Sequence, residues 1–182
     1  VINNKKSIKE KFSKNVSIIK GGNERSDSSL IALKYVKKFK PYNVIIHDAA
    51  RPNFTIKLLK NLIQSLKNNK AVVPFINSKD SIKYKVKNKL FNLNRDNSFL
   101  TQTPQAFRFK DLYNLSIKEK NKITDEATLF IEKNLKIKFI KGENLNNKIT
   151  YSEDIKINKT YFGIGFDIHR LIRGKKLFLA GI

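Results

Sequence analysis

Val44-Ile45-Ile46-His47-Asp48-Ala49-Ala50-Arg51-Pro52 is the stretch on which the rest of this chain is read. Three β-branched residues predict a buried strand, after which the polarity changes abruptly. An acid, two small residues, an arginine and a proline follow His47. In an open α/β sheet the ligand crevice lies outside the carboxyl ends of the strands. A carboxylate there, Asp48, is placed to hold a metal. Ala49 and Ala50 leave room for a ligand to approach the backbone, and Arg51 can grip a phosphate through two parallel hydrogen bonds. Taken alone, the stretch also fits an ordinary turn closing a strand.

Upstream, residues 16–19 predict a short strand, and residues 21–25 a turn in which glycine makes φ > 0 affordable. Ser26 or Asp27 can cap the next helix, with Leu30, Leu33 and Val36 on its apolar face. Downstream, Thr55 is the cap of an amphipathic helix with Leu58, Leu62 and Leu66 at i, i+4, i+8, and residues 71–75 are the next buried strand. Strands alternating with helices predict βαβ units and a mostly parallel sheet. Residues 81–86 alternate apolar side chains with lysine, and residues 89–94 are again extended, with a turn at Asn88. This predicts an exposed two-stranded arm within residues 77–100, of the kind that covers a partner subunit. Residues 102–107 return to the body, followed by a helix through Leu112 and Leu115. Thr124-Asp125-Glu126-Ala127 predicts a helix start with acids in its first turn. A strand at 135–140, a loop to Thr150 and a helix from Ser152 complete a domain over 1–159. Residues 160–182 read as the start of another.

A chain of 182 residues allows one ordinary domain with a second begun. Its 40% hydrophobic content is enough for a core and excludes a disordered polyelectrolyte. No apolar run approaches the ~20 residues of a membrane span, and the lysine-rich N-terminus lacks a signal peptide's apolar region, so the default location is cytoplasmic. Without cysteine there is no disulfide, thiolate metal site or cysteine nucleophile. The net charge of +23 suggests a nucleic-acid binder. Of the 38 basic residues, however, 32 are lysines scattered through every segment, so nucleic acid is not the expected partner. Against that background the six arginines stand out: Arg25, Arg51, Arg95, Arg108, Arg170 and Arg173. A planar fork, rather than any cation, is the candidate requirement there. The two histidines, His47 and His169, each fall inside a motif-like stretch. No methionine is present, even at position 1, which predicts a fragment of a longer protein.

Six motifs in order resemble the 2-C-methyl-D-erythritol 4-phosphate cytidylyltransferases over residues 16–157. They are Gly-Gly-x-Glu-Arg-x-x-Ser at 21–28, His-Asp-Ala-Ala-Arg-Pro at 47–52, Asp-Ser-Ile-Lys at 80–83, Gln-Thr-Pro-Gln-Ala-Phe at 102–107, Thr-Asp-Glu-Ala at 124–127 and Asn-Lys-Ile-Thr at 147–150. The resemblance implies a Rossmann-like α/β nucleotidyltransferase with a protruding β-arm. In that family a phosphate oxygen of the polyol phosphate attacks the α-phosphorus of CTP and pyrophosphate leaves, so the protein's task is to position and to neutralise charge. By resemblance, Asp48 holds Mg²⁺ and orients the substrate, while Gly22, Arg25, Ser28 and Ala49 frame the nucleotide. Lys148 meets the CTP phosphates, and Arg51, Thr103 and Thr124 contact the polyol phosphate. Ser81 and Arg95 on the arm reach the neighbouring subunit's site, making a homodimer part of the mechanism; Ser81 stands where the family usually has threonine.

Gly163-Ile164-Gly165-Phe166-Asp167-Ile168-His169-Arg170 resembles the opening of the 2-C-methyl-D-erythritol 2,4-cyclodiphosphate synthases, which implies a bifunctional parent. Asp167 and His169, at i and i+2, would be ligands of a divalent metal, usually Zn²⁺, in a site left incomplete. The glycine-rich nucleotide loop of the first family is expected to precede residue 1, so this chain is expected to bind CTP poorly. Competing readings are a ribitol 5-phosphate cytidylyltransferase, a basic nucleic-acid-binding module and a catalytically silent dimerisation module.

Overall fold

The computed structural model describes residues 16–119, 121 and 123–156. By its packing the chain divides into two units, up to Lys148 and from Ile149 on. The expected boundary at 159/160 lies outside the described residues.

The first unit opens with helix α1 (Arg25–Val36). Its cap is Glu24 rather than Ser26 or Asp27: Glu24 accepts from the third helical N–H, and Asp27 reaches back to the Glu24 N–H at 3.1 Å. Reciprocal capping of this kind satisfies two donors that a helix start otherwise leaves open. Residues 16–19 form no strand, and the pairing there is a single bridge at Lys20. A β-branched run becomes a strand only where a neighbouring backbone is in register.

Strand β1 (Asn43–Ile46) leads through the Asp48 turn to helix α2 (Ile56–Leu66). Thr55 caps α2, its hydroxyl accepting from the Leu58 N–H at 3.1 Å. Leu58, Leu62 and Leu66 are buried. Strand β2 (Ala71–Asn77) follows, then the arm strands β3 (Ile82–Val86) and β4 (Lys89–Leu93), then β5 (Phe99–Thr101) and β6 (Gln105–Arg108). Helices α3 (Phe109–Ser116) and α4 (Glu126–Glu132) precede strand β7 (Lys138–Lys141). The last strand starts three residues later than expected: Asn134 at φ 53° and the Leu135 N–H, bonded to the Phe130 carbonyl at 2.8 Å, still belong to the end of α4.

The sheet is mixed. β1, β2 and β7 run in one direction, with β7 parallel to β2 (Val72↔Lys138 to Phe75↔Lys141). β6 enters antiparallel between β1 and β2, and β5 continues along the same edge of β2. The α/β class thus stands, while most ladder pairings are antiparallel because residues 99–108 come back against β2. Between β5 and β6 the ladder is interrupted at Gln102-Thr103-Pro104, where the Thr103–Pro104 peptide is cis.

Alternation along the strands sends Ala71, Val73 and Phe107 to one face, packed with Leu33, Leu112 and Phe130 from α1, α3 and α4. Val72 and Ala106 face the other way, onto α2. Two helical layers therefore hold the sheet rigid, and the carboxyl ends of β1 and β7 emerge at one end of it. The β3–β4 ladder forms a separate two-stranded sheet turning at Lys87-Asn88, as expected of an arm. In the second unit, α5 (Ser152–Lys156) has Asp154 accepting the Thr150 and Tyr151 N–H groups at 2.7 and 2.9 Å. Those two bonds hold its carboxyl below the usual range.

Candidate active site

Beyond Ile46 the chain leaves the ladder and closes a tight turn. The Asp48 N–H donates to Thr103 Oγ1 at 3.0 Å, and that hydroxyl lies 3.2 Å from His47 Nδ1. His47 Nε2 is 3.0 Å from the Arg51 carbonyl, and the Arg51 N–H donates to the Asp48 carbonyl at 2.9 Å. A carbonyl only accepts, so the proton sits on Nε2 and Nδ1 accepts from Thr103. The chain of bonds suits a neutral imidazole. Burial lowers the His47 pKa and the Arg51 charge adds to this, against the Arg51 carbonyl and Asp48. The interruption between β5 and β6 is what brings Thr103 under this turn.

The Asp48 carboxylate lies between two cations, Arg25 Nε on Oδ1 at 3.3 Å and Lys148 Nζ on Oδ2 at 3.3 Å. Burial alone would raise its pKa, but Arg25 and Lys148 outweigh burial and hold the carboxyl below its usual value. Arg25 in turn donates from Nη1 and Nη2 to the two oxygens of Glu126, at 3.0 and 2.8 Å. Burial acts to lower the Arg25 pKa, and the two carboxylates more than reverse it.

Arg51 Nη1 donates to the Asn146 carbonyl at 2.8 Å, and Arg51 Nε is buried without a hydrogen-bond partner. Asn146, fully buried, donates from Nδ2 to the Thr103 carbonyl at 2.8 Å. Gln102 bonds the Glu143 carbonyl and N–H at 2.9 and 3.0 Å. The segment after β7, which carries Lys148, is thereby tied to the segment that carries Thr103. At Gly142 an added Cβ would lie 2.4 Å from Gln102 Oε1, so this close approach needs glycine.

Two clefts meet here. One, of about 370 Å³, is bounded by Arg25, Ser28, Ala32, His47, Asp48 and Ala49. The other, about 480 Å³, is lined by Arg51, Phe99, Thr101, Gln102, Asn147 and Lys148. Asp48 lines the first and Lys148 the second, so their 3.3 Å ion pair is the junction. Such an arrangement can hold two anionic molecules in separate clefts with reacting atoms at the shared cation–carboxylate pair.

Of the expected site residues, Arg25, Ser28, Asp48 and Ala49 line the first cleft, and Arg51 and Lys148 the second. Gly22 donates its N–H to Ser28 Oγ at 3.1 Å. Glycine is needed at 22 for space rather than for positive φ, since an added Cβ would lie 2.3 Å from Asp27 Cβ. Thr103 sits beneath Asp48. Thr124 is exposed, with its hydroxyl 3.2 Å from that of Thr128. Ser81 and Arg95 are exposed: Ser81 accepts from Lys83 at 2.8 Å, and Arg95 lies 3.9 Å from Asp96. Asp167 and His169 lie outside the described residues.

Glu126 and Asn146 were not singled out by residue-level reading. A signal for Glu126 exists in hindsight, because an arginine kept in a lysine-rich chain asks for a planar partner. Asn146 has no such signal; its side chain is ordinary until burial makes it costly. Among the described residues, no group of three or more His, Asp or Glu is arranged to hold a metal. No helix among them is long and apolar enough to cross a membrane.

The family model for 2-C-methyl-D-erythritol 4-phosphate cytidylyltransferase matches residues 2–163. The bifunctional enzyme IspD/IspF of Pelagibacter ubique is 50% identical over 179 residues, covering 98% of this chain and 48% of the relative. The 2-C-methyl-D-erythritol 4-phosphate cytidylyltransferase of Caldicellulosiruptor bescii is 36% identical over 161 residues, 87% of this chain and 71% of that protein. The crystal structure of 4-diphosphocytidyl-2C-methyl-D-erythritol synthase from Anaerococcus prevotii superposes with a TM-score of 0.72 at 33% identity, covering 80% of this chain and 67% of that one. The chain spans about half the length of the bifunctional relatives it matches, 48% for the Pelagibacter enzyme.

Proposed function

The chain belongs to the 2-C-methyl-D-erythritol 4-phosphate cytidylyltransferase family, and from that membership we propose that it transfers CMP from CTP to 2-C-methyl-D-erythritol 4-phosphate. The acceptor's phosphate oxygen attacks the α-phosphorus of CTP, and the bond to the β-phosphate breaks, releasing pyrophosphate and the CDP-alcohol. The observation that carries this reading is the junction of the two clefts at Asp48 and Lys148.

CTP occupies the cleft walled by Arg25, Ser28 and Ala49, with Gly22 behind Ser28. The acceptor phosphate meets Arg51, whose buried Nε and remaining N–H groups suit an anion. Thr124 adds a hydroxyl on the same side of the reaction. Lys148 leaves Asp48 for the phosphates and neutralises charge building on the transferring phosphorus. Thr103 acts by holding the Asp48 N–H, and Asp48 orients the reacting groups. A single carboxylate fits magnesium that arrives on a nucleoside triphosphate, because that ion takes one or two carboxylates plus substrate phosphates. Bound there, it would add a second positive charge to the phosphates.

The arm supplies Ser81 and Arg95 to the site of a second copy, so the working unit is a homodimer. We place the reaction in the cytoplasm, with nucleotide substrates. Residues beyond 160 begin a cyclodiphosphate synthase domain in which Asp167 and His169 bind a divalent metal, zinc by preference. Pyrophosphate release from CTP by the full protein, with methylerythritol phosphate or ribitol 5-phosphate as acceptor, tests the reading. Faster release is expected with methylerythritol phosphate; preference for ribitol 5-phosphate would overturn the substrate assignment.

A further inference from the structure

Glu126 lines neither of the two clefts, yet its carboxylate is bound to Arg25, which touches Asp48. It is 1% exposed, and both of its oxygens are taken by Arg25. A guanidinium is planar, so fixing Nη1 and Nη2 on one carboxylate fixes the direction in which Nε points. That direction is toward Asp48 Oδ1, at 3.3 Å. Three segments far apart in sequence, at 25, 48 and 126, are therefore joined through one side chain.

The base of this arrangement is itself anchored. Asp125 caps α4 by accepting from the Thr128 N–H at 3.1 Å. Its other oxygen accepts from Thr101 Oγ1 at 3.0 Å and Gln105 Nε2 at 2.8 Å. The start of α4 is thus pinned to β5 and β6, and Glu126 departs from a fixed backbone. A buried carboxylate needs a partner in any fold. Ordinary charge pairing would be met by one contact, whereas here the two-point contact also orients a third nitrogen toward the site.

The charges add a reason for this arrangement. With Arg25 and Lys148 against Asp48 and Glu126, the four groups balance. On the functional reading above, Lys148 leaves Asp48 when phosphates arrive. Asp48 then keeps only Arg25, and a free-swinging arginine would follow the phosphates as well. We propose that Glu126 is a positioning residue for cytidylyl transfer, holding the Arg25 guanidinium against Asp48 so that the carboxylate stays oriented while Lys148 engages substrate. Arg25 accordingly serves the site as a bridge between two carboxylates, with Nη1 and Nη2 committed to Glu126. This role rests on the proposed transfer reaction.

The test uses the full chain and two independent readouts. Glu126→Gln keeps the shape and removes the charge. It is expected to lower kcat by about 10–100-fold, as displacement of a reacting group does, with KM for CTP little changed. Glu126→Asp is expected to recover part of that loss. In ¹⁵N NMR without substrate, the Arg25 guanidinium should show slowed rotation in the native chain, lost in Glu126→Gln. Its Nε–H signal should also shift in Asp48→Asn. Should Glu126→Gln fail to fold, Arg25→Lys keeps a cation that cannot span both carboxylates, and the same fall in kcat is expected. Native kcat in either folded variant, or an Arg25 signal indifferent to Glu126→Gln, would overturn the proposal. A native chain that forms no product overturns the transfer reading alone, and the Arg25 signal still decides whether Glu126 orients Arg25 against Asp48.

Discussion

The corner around Asp48 and the β3–β4 arm are built by opposite means. At the corner, residues 25, 48, 103, 126, 146 and 148 bond to one another, side chain to side chain or side chain to backbone, across long stretches of chain. The arm is held by one antiparallel ladder, with Tyr84 stacked on Phe91 at 5.2 Å, and leaves Tyr84, Val86, Leu90, Phe91 and Leu93 exposed. Its candidate site residues make contacts close in sequence, Ser81 with Lys83 and Arg95 with Asp96. A group oriented by many distant segments is ready to act within its own chain. A group on an exposed two-stranded ribbon is suited to act on something docked against it, since an isolated hairpin gains little from its own packing.

The largest effect should come from breaking the two regions separately and then mixing them. Asp48→Ala and Arg95→Ala are each expected to reduce cytidylyl transfer about 100-fold, the scale of losing one group that stabilises developing charge. If the arm serves a partner's site, mixed dimers of the two variants contain one intact site. Statistical mixing would then restore about a quarter of native activity by symmetry. No restoration in a mixture shown to exchange subunits would make Arg95 part of its own chain's site.

Stability should divide along the same line. Leu62→Ala, at a fully buried position on α2, is expected to cost about 2–5 kcal/mol in denaturant unfolding. Leu90→Ala on the arm, at 72% exposure, should stay within about 0.5 kcal/mol for folding of the single chain. Sedimentation should instead show a weakened dimer. Equal losses in unfolding would mean that the arm folds as part of the core.

The smallest effect concerns pH. Burial, with Arg51, lowers the His47 pKa below its usual value. The stability this brings is fully present above the unfolded value of about 6.5 and is lost as pH falls through the lower folded value. NMR titration of the His47 ring should give a midpoint below that reference, and His47→Gln should remove the corresponding acid-side loss. A midpoint at or above it would break the bonded chain from Asp48 through Thr103 to the Arg51 carbonyl.

Much of this was readable from residue order. Leucines at helical spacing after Thr55 gave α2 and its cap, alternation with lysine gave the arm, and the run into Asp48 gave the end of β1. The arginines retained among lysines include Arg25, where a fork is used. In the sequence Glu126 is a first-turn acid that helix-start chemistry explains locally, and a local explanation hides a distant partner. The cap of α1 differs from the expected Ser26 or Asp27 for a related reason: several neighbouring polar residues compete for it, and only backbone geometry selects Glu24.

By itself the sequence determined the α/β class, the helix and strand periods, the family motifs and the short-range turn at 47–52, because each depends on neighbours within a few residues. Tertiary structure decided the antiparallel insertion of β6, the placing of Thr103 beneath Asp48, and the Glu126–Arg25–Asp48 bridge. Those depend on which segments the packed sheet brings within hydrogen-bonding distance, and a hydrogen bond acts over about 3 Å regardless of sequence separation.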